Sequence, residues 1–237
     1  GLTRAAFRAG WAANAQLQVR RVSSSDLDSL LEAGAAALGV PLDAAQRGKL
    51  LRLVAELEEW NGRFNLTAIR EPAEMVRKHL LDSLAVHPFL RGARIVDVGT
   101  GPGFPGLPLS VVNPDRRFTL VEATAKKARF VEHAAGALAL ANVEVVNARA
   151  EVWKPPRPFD AVVCRALGKL PEFIRFAGHL CARGGRMLAM KGQYPEAELA
   201  AVPRGWRVVA VHRLEVPGLE AERHLVELAR AGSGGSA

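Results

Sequence analysis

Three observations predict an α/β protein with a parallel sheet behind a helical extension. Residues 26–92 carry apolar residues at helical spacing. From Arg94 the pattern changes to short apolar runs that alternate with helical segments. The chain then closes on two strand-like runs with no helical pattern between them.

The 237-residue chain has room for one large domain with an appendage. Hydrophobic residues make up 49% of it, enough to fill a core. Residues 1–25 hold Arg4, Arg8, Arg20 and Arg21 and no acidic residue, so half of the formal net charge of +8 falls there. The chain starts at Gly1 rather than Met. This stretch reads as a disordered extension, an Arg-rich targeting segment or an expression remnant, and is set outside the fold. The Gly/Ser end, residues 232–237, also reads as disordered. A basic balance favours an anionic partner such as RNA, though a charged solvated tail gives the same total. No apolar run reaches the roughly 18 residues of a membrane helix. The two cysteines, Cys164 and Cys181, form no CxxC pair. A soluble, cytoplasmic protein without disulfides or a metal site is expected, and a monomer.

Asp26 is a candidate cap for a first helix bearing Leu27, Leu30 and Leu31. A second helix is predicted from Asp43 to Trp60, ended by Asn61-Gly62. A third follows Pro72 and carries Met75, Val76, Leu80, Leu81 and Leu84 on one side. Residues 93–231 form the sheet domain. Its strands are predicted at Arg94–Val98, Phe118–Glu122, Val143–Asn147, Phe159–Cys164 and Arg186–Lys191. Helices fall near Gly106–Val112, Thr124–Leu140 and Pro171–Cys181. Strand–helix alternation implies a sheet covered on both faces. Trp206–Leu214 and His224–Ala229 then pair antiparallel at one side, making seven strands, unlike a plain dinucleotide-binding domain.

The central motif runs Val96-Asp97-Val98-Gly99-Thr100-Gly101-Pro102-Gly103-Phe104-Pro105-Gly106. It follows a strand and opens a helix, with Pro105 suited to the first turn. Two ligand readings compete. Gly101-x-Gly103-x-x-Gly106 matches the dinucleotide pattern GxGxxG, a weak signal alone. Asp97 followed by Gly99-x-Gly101-x-Gly103 matches the form that binds S-adenosylmethionine. Charge favours the second, because a carboxylate repels a pyrophosphate and attracts the amino group and sulfonium of S-adenosylmethionine. Glu122 ends the next strand and can accept hydrogen bonds from both ribose hydroxyls of either cofactor. Ala150-Glu151 follows the third strand, where an adenine edge would lie.

Transfer of a methyl group is an in-line displacement in which the protein mostly aligns the partners. After the fourth strand the chain reads Val163-Cys164-Arg165-Ala166-Leu167, without the Asn-Pro-Pro-aromatic turn of adenine amino methylases. Cys164 follows Val163 rather than proline and reads as a small buried strand residue. Guanine N7 already presents a lone pair and needs no base, so it is compatible with this site. No catalytic residue is evident. Arg165 either stacks on a base, holds a phosphate, clamps the cofactor or is a surface arginine.

The sequence resembles the bacterial 16S ribosomal RNA guanine-N7 methyltransferases, the RsmG or glucose-inhibited division protein B family. The likeness is carried by Trp60 to Ile69 (WNGRFNLTAI), His79 to Leu84 (HLLDSL), Val96 to Gly106, Ala148-Arg149-Ala150-Glu151, Cys164-Arg165-Ala166 and Lys191-Gly192. It covers residues 30–230. The resemblance implies a class I S-adenosylmethionine-dependent methyltransferase fold, Rossmann-like, with a helical N-terminal extension. It implies cofactor contacts at Gly99, Phe104, Glu122, Ala123, Thr124, Ala150, Glu151 and Arg165, beside the loop residues Asp97, Gly101 and Gly103. The implied partner is 16S RNA or the small ribosomal subunit, with one guanosine of the decoding-region loop as acceptor.

Outside the loop, Phe64, Asn65 and Thr67 are candidates for an RNA-facing wall, or are cap and core residues. His79 and Asp82 share a helix face and read as a joint between extension and sheet. Lys126, Lys127 and Arg129 either track phosphates or form a solvated face. Lys191, at a strand end, is placed to meet RNA.

Overall fold

The computed structural model describes residues 21–165 and 167–232. The expectations for residues 1–20 and 233–237 therefore lie outside the described residues. Helix α1, Ser24–Ala37, begins earlier than predicted. Ser23, not Asp26, is its N-cap. Asp26 instead closes the capping box from the third helical position. Ser24 and Ser25, which the sequence assigned to the disordered extension, are thus helical.

Helix α2, Ala44–Phe64, is capped by Asp43 and Gln46 in the same reciprocal way. It passes through Asn61-Gly62, which were expected to stop it, and ends at Asn65 in the left-handed conformation. The physical reason is Asn61. Its buried side chain accepts the Thr67 N–H at 2.9 Å and so ties down the chain beyond the helix. The third helix, α3, spans 72–84. It starts α-helical at Pro72–Met75, widens to a π-helical turn at Val76–Leu81 and closes at Asp82–Leu84. Such turns recur at functional sites.

The sheet comprises β1 (Arg94–Val98), β2 (Arg117–Val121), β3 (Val143–Val146), β4 (Phe159–Cys164), β5 (Cys181–Lys191), β6 (Trp206–Leu214) and β7 (Arg223–Arg230). Their order is β3-β2-β1-β4-β5-β7-β6. The first five are parallel, and β7 runs antiparallel to both β5 and β6. The terminal pair therefore forms as expected, with β7 inserted between β5 and β6. Strand β5 starts at Cys181, not Arg186, because its ladder continues across a register shift opposite Phe159 and Ala161. Gly184-Gly185 interrupts the apolar run there and hides the first half from sequence.

Helices α4 (Gly106–Val111), α5 (Ala125–Ala137) and α6 (Leu170–Ala177) follow β1, β2 and β4. A five-residue helix, α7 (Glu196–Ala200), was not anticipated; it is too short for a helical period to register. One apolar core joins the extension to the sheet domain: Leu31, Leu50, Leu53, Leu80 and Leu84 pack in the same cluster as Leu107, Phe130 and Leu188. The extension is thus built onto the sheet rather than tethered to it. The strand order reverses between β1 and β4. In open α/β sheets a crevice opens at that switch point, beyond the carboxyl ends of the strands.

Candidate cofactor and acceptor site

A cavity of about 620 Å³ lies at that crevice, within the size range of small-molecule sites. Its lining includes Gly99, Gly101, Phe104, Glu122, Ala123, Thr124, Ala150, Glu151 and Arg165. These are nine of the residues singled out from sequence. It also includes Leu167 and Phe176, which the sequence does not single out, and Lys127, for which the sequence offers an RNA contact or a solvated face.

Asp97 and Gly103 do not line the cavity. Asp97 is 1% exposed, and its Oδ2 accepts the Thr100 hydroxyl at 2.6 Å and the Gly106 N–H at 2.8 Å. The expectation that Asp97 directly meets cofactor cations is therefore corrected: its bonded oxygen ties the two ends of the loop together. Burial pushes its carboxyl up to about 7, and Oδ1 has no partner among the described residues. Gly106 is required by this closeness. A Cβ there would lie 2.9 Å from Asp97 Oδ2 and 2.7 Å from Leu120. Gly99 adopts φ +65°, a conformation that side chains rarely take.

Five of the loop's amides are engaged within the protein. Thr100 N–H donates to Val121 O, and the Gly103 and Phe104 N–H groups donate to Thr100 O. Gly101 N–H donates to Glu122 Oε1 at 3.0 Å, and Gly106 N–H to Asp97. A phosphate-binding loop instead points such donors at its anion. Glu122 Oε2 accepts the Thr124 N–H at 2.6 Å. Each carboxylate oxygen can accept a second bond, so Glu122 remains able to receive two hydroxyl donors from the cavity side. Asn147 braces this turn by donating to Glu122 O and Ala123 O. The lining thus fits an uncharged adenosine ribose, while five of the loop donors that a pyrophosphate would need are already bonded.

A second cavity of about 370 Å³ shares Arg165 with the first. Lys78, His79, Asp82 and Arg223 line it as well. Asp82 receives a bidentate pair from Arg223 at 2.7 and 2.8 Å. With the bond from Arg165 to His79 at 3.1 Å, this is the joint between extension and sheet expected from the shared helix face.

The remaining candidates are already engaged. Thr67 Oγ1 lies 2.9 Å from His79 Nε2 and accepts the Ile69 N–H. Asn65 caps α2, and its side chain accepts from Arg70. Lys191 Nζ sits 2.7 Å from Glu198 and 2.6 Å from Gly168 O. None of these three lines either cavity. Cys164 is buried, and desolvation pushes its thiol up to about 12.

Residues 46–226 match the family described as GidB, rRNA small subunit methyltransferase G. The chain belongs to this family. It is 50% identical over 201 residues to the Ribosomal RNA small subunit methyltransferase G of Xanthomonas euvesicatoria pv. vesicatoria, covering 85% of this chain and 94% of that one. The protein of the same name from Shewanella amazonensis is 44% identical over 193 residues, covering 81% and 94%. Among solved structures, TrmN from Thermus thermophilus shares the fold with a TM-score of 0.51 at 19% identity, over 66% of this chain and 53% of that one. A ribosomal protein L11 methylase from Lactobacillus delbrueckii subsp. bulgaricus gives 0.50 at 14% identity, over 64% and 77%. This GidB-family chain therefore carries the class I methyltransferase fold, with its helical extension packed against the sheet.

Proposed function

We propose that this chain transfers a methyl group from S-adenosylmethionine to N7 of one guanosine in the decoding-region loop of 16S ribosomal RNA. The observation that carries the cofactor half is the inward engagement of the glycine-loop amides. A dinucleotide would bring a pyrophosphate to a loop with Thr100, Gly101, Gly103, Phe104 and Gly106 N–H groups already bonded. S-adenosylmethionine brings an uncharged adenosine to Glu122 and no phosphate. When bound, it supplies an electrophilic methyl carbon on a sulfonium.

What the protein's own residues do is hold and orient. Glu122 receives the ribose hydroxyls, Ala150 and Glu151 flank the adenine, and Phe104, Leu167 and Phe176 exclude water. Orientation of this kind is worth several kcal/mol in a displacement reaction. The chemistry of the side chains supports an acceptor that needs no activation. His79 does not serve as a base. Burial pushes it down to about 3, aided by the Arg165 charge, and both ring nitrogens are engaged. Cys164, with its thiol pushed up to about 12, does not serve as the nucleophile of pyrimidine C5 methylation. Guanine N7 requires neither. The family's name supplies the small-subunit RNA as partner, and a basic chain is suited to it. No helix among the described residues is long and apolar enough to cross a membrane; a cytoplasmic monomer is part of this proposal.

The test is transfer of labelled methyl from S-adenosylmethionine to naked 16S RNA, assembly intermediates and finished small subunits. Label at N7 of a single decoding-region guanosine is expected with at least one of them. Transfer to another atom or base, or none to any, would overturn the assignment.

A further inference from the structure

We propose that His79 is a positioning residue that fixes the Arg165 guanidinium between the two cavities, with Thr67 of the extension anchoring the far side of its ring. The inference rests on the cofactor reading above.

The geometry dictates the protonation pattern. Arg165 Nη2 lies 3.1 Å from His79 Nδ1. A guanidinium has donors only, so Nδ1 must offer its lone pair. The ring is then neutral, with its hydrogen on Nε2, and that N–H donates to Thr67 Oγ1 at 2.9 Å. A protonated ring would set N–H against N–H. Burial acts in the same direction: His79 is 3% exposed and is pushed down to about 3.

Each member of the relay is held from behind. Thr67 N–H donates to Asn61 at the end of α2, and Oγ1 accepts the Ile69 N–H. The His79 ring stacks on Phe104 of the glycine loop, with centroids 4.5 Å apart and planes at 8°. Arg165 also lies over Phe104, 5.5 Å from the ring centroid, and donates to Lys78 O. Arg165 lines both cavities. A guanidinium free to swing would leave that shared wall undefined. The π-helical turn that carries His79 is therefore a device by which the extension sets the cofactor site.

Two substitutions separate the ring nitrogens. His79→Asn keeps an acceptor near Nδ1 and loses the Thr67 contact. His79→Gln reaches toward Thr67 and loses the Arg165 contact. Both lose the stack on Phe104, so both lower the melting temperature similarly. Calorimetric affinity for S-adenosylhomocysteine is the readout. His79→Gln is expected to weaken it about tenfold, and His79→Asn by less than about threefold. On an Arg165→Ala background, the His79→Gln penalty disappears. Thr67→Val, which removes the acceptor of the Nε2–H and so loosens the ring, weakens affinity about threefold. Equal effects of Asn and Gln, a penalty that persists without Arg165, or an unaffected Thr67→Val protein would overturn the proposal. A wild-type protein that binds no S-adenosylhomocysteine would overturn the cofactor reading, and this proposal with it.

Discussion

Replacing Asp97 by asparagine removes a charge while keeping the acceptor that ties the glycine loop. The Asp97 carboxyl is 1% exposed. Burial pushes it from an ordinary 3.8 up to about 7, against smaller downward pulls from Thr100, Gly106 and Arg165. The fold therefore favours the neutral carboxyl. Its contribution is full below 3.8 and is lost as pH rises through about 7. At about 1.4 kcal/mol per pH unit, the total tilt is on the order of 4 kcal/mol. Asparagine does not titrate, and its carbonyl still accepts from Thr100 and Gly106. Its NH₂ replaces the unpaired Oδ1, which leaves a buried donor costing about 1–3 kcal/mol. That cost dominates at low pH and the charge dominates at high pH, so the two stability curves should cross. Urea unfolding of the cofactor-free protein, followed by circular dichroism, measures this. Between about pH 5 and about pH 8 the balance should move by roughly 2–3 kcal/mol in favour of asparagine. Parallel pH profiles for the two proteins would refute the reasoning. Asp97→Ala is a poorer probe, because it also strips the acceptor from the buried Gly106 N–H.

Other substitutions test the neighbouring contacts. Glu122→Gln puts an NH₂ against the N–H of Gly101 or Thr124 and should weaken S-adenosylmethionine binding at least tenfold, about 1.4 kcal/mol; unchanged calorimetric affinity would contradict the ribose role. Cys164→Ala should leave methyl transfer within about twofold while costing on the order of 1 kcal/mol of stability; abolished transfer in a folded protein would restore the thiol as a nucleophile. Asp82→Ala strands Arg223 and should lower unfolding free energy by about 3–5 kcal/mol, read by denaturant titration. A loss below about 1 kcal/mol would mean the pair is solvated like a surface bridge.

The sheet domain was legible because its information is local. Apolar runs set β1, β2 and β4, and the glycine loop announces a strand-to-helix turn with a ligand-sized opening. Glu122 could be found because its position at the end of β2 follows from that pattern. What escaped was fixed by distant partners. The π-helical turn has the same apolar spacing as an α-helix. Its His79 meets Arg165, 86 residues away, and Asp82 just after it meets Arg223, 141 residues away. Thr67 and Lys191 read as free polar groups until His79 and Glu198 are seen beside them. Leu167 and Phe176 line the cavity only because β4 and α6 bring them there. Asp97 illustrates the reverse error: the sequence places its carboxyl in the loop, but that carboxyl is turned inward and burial favours its neutral form, so the choice of cofactor rests instead on the engaged amides.

The most direct measurement is a nucleotide-resolution map of N7-methylguanosine in 16S RNA, taken from cells with and without this protein. Loss of one N7 methyl group in the decoding-region loop, restored by the wild-type chain and not by a Glu122→Gln chain that has lost cofactor binding, is the expected result. An unchanged map, or a loss at another base, would contradict the assignment.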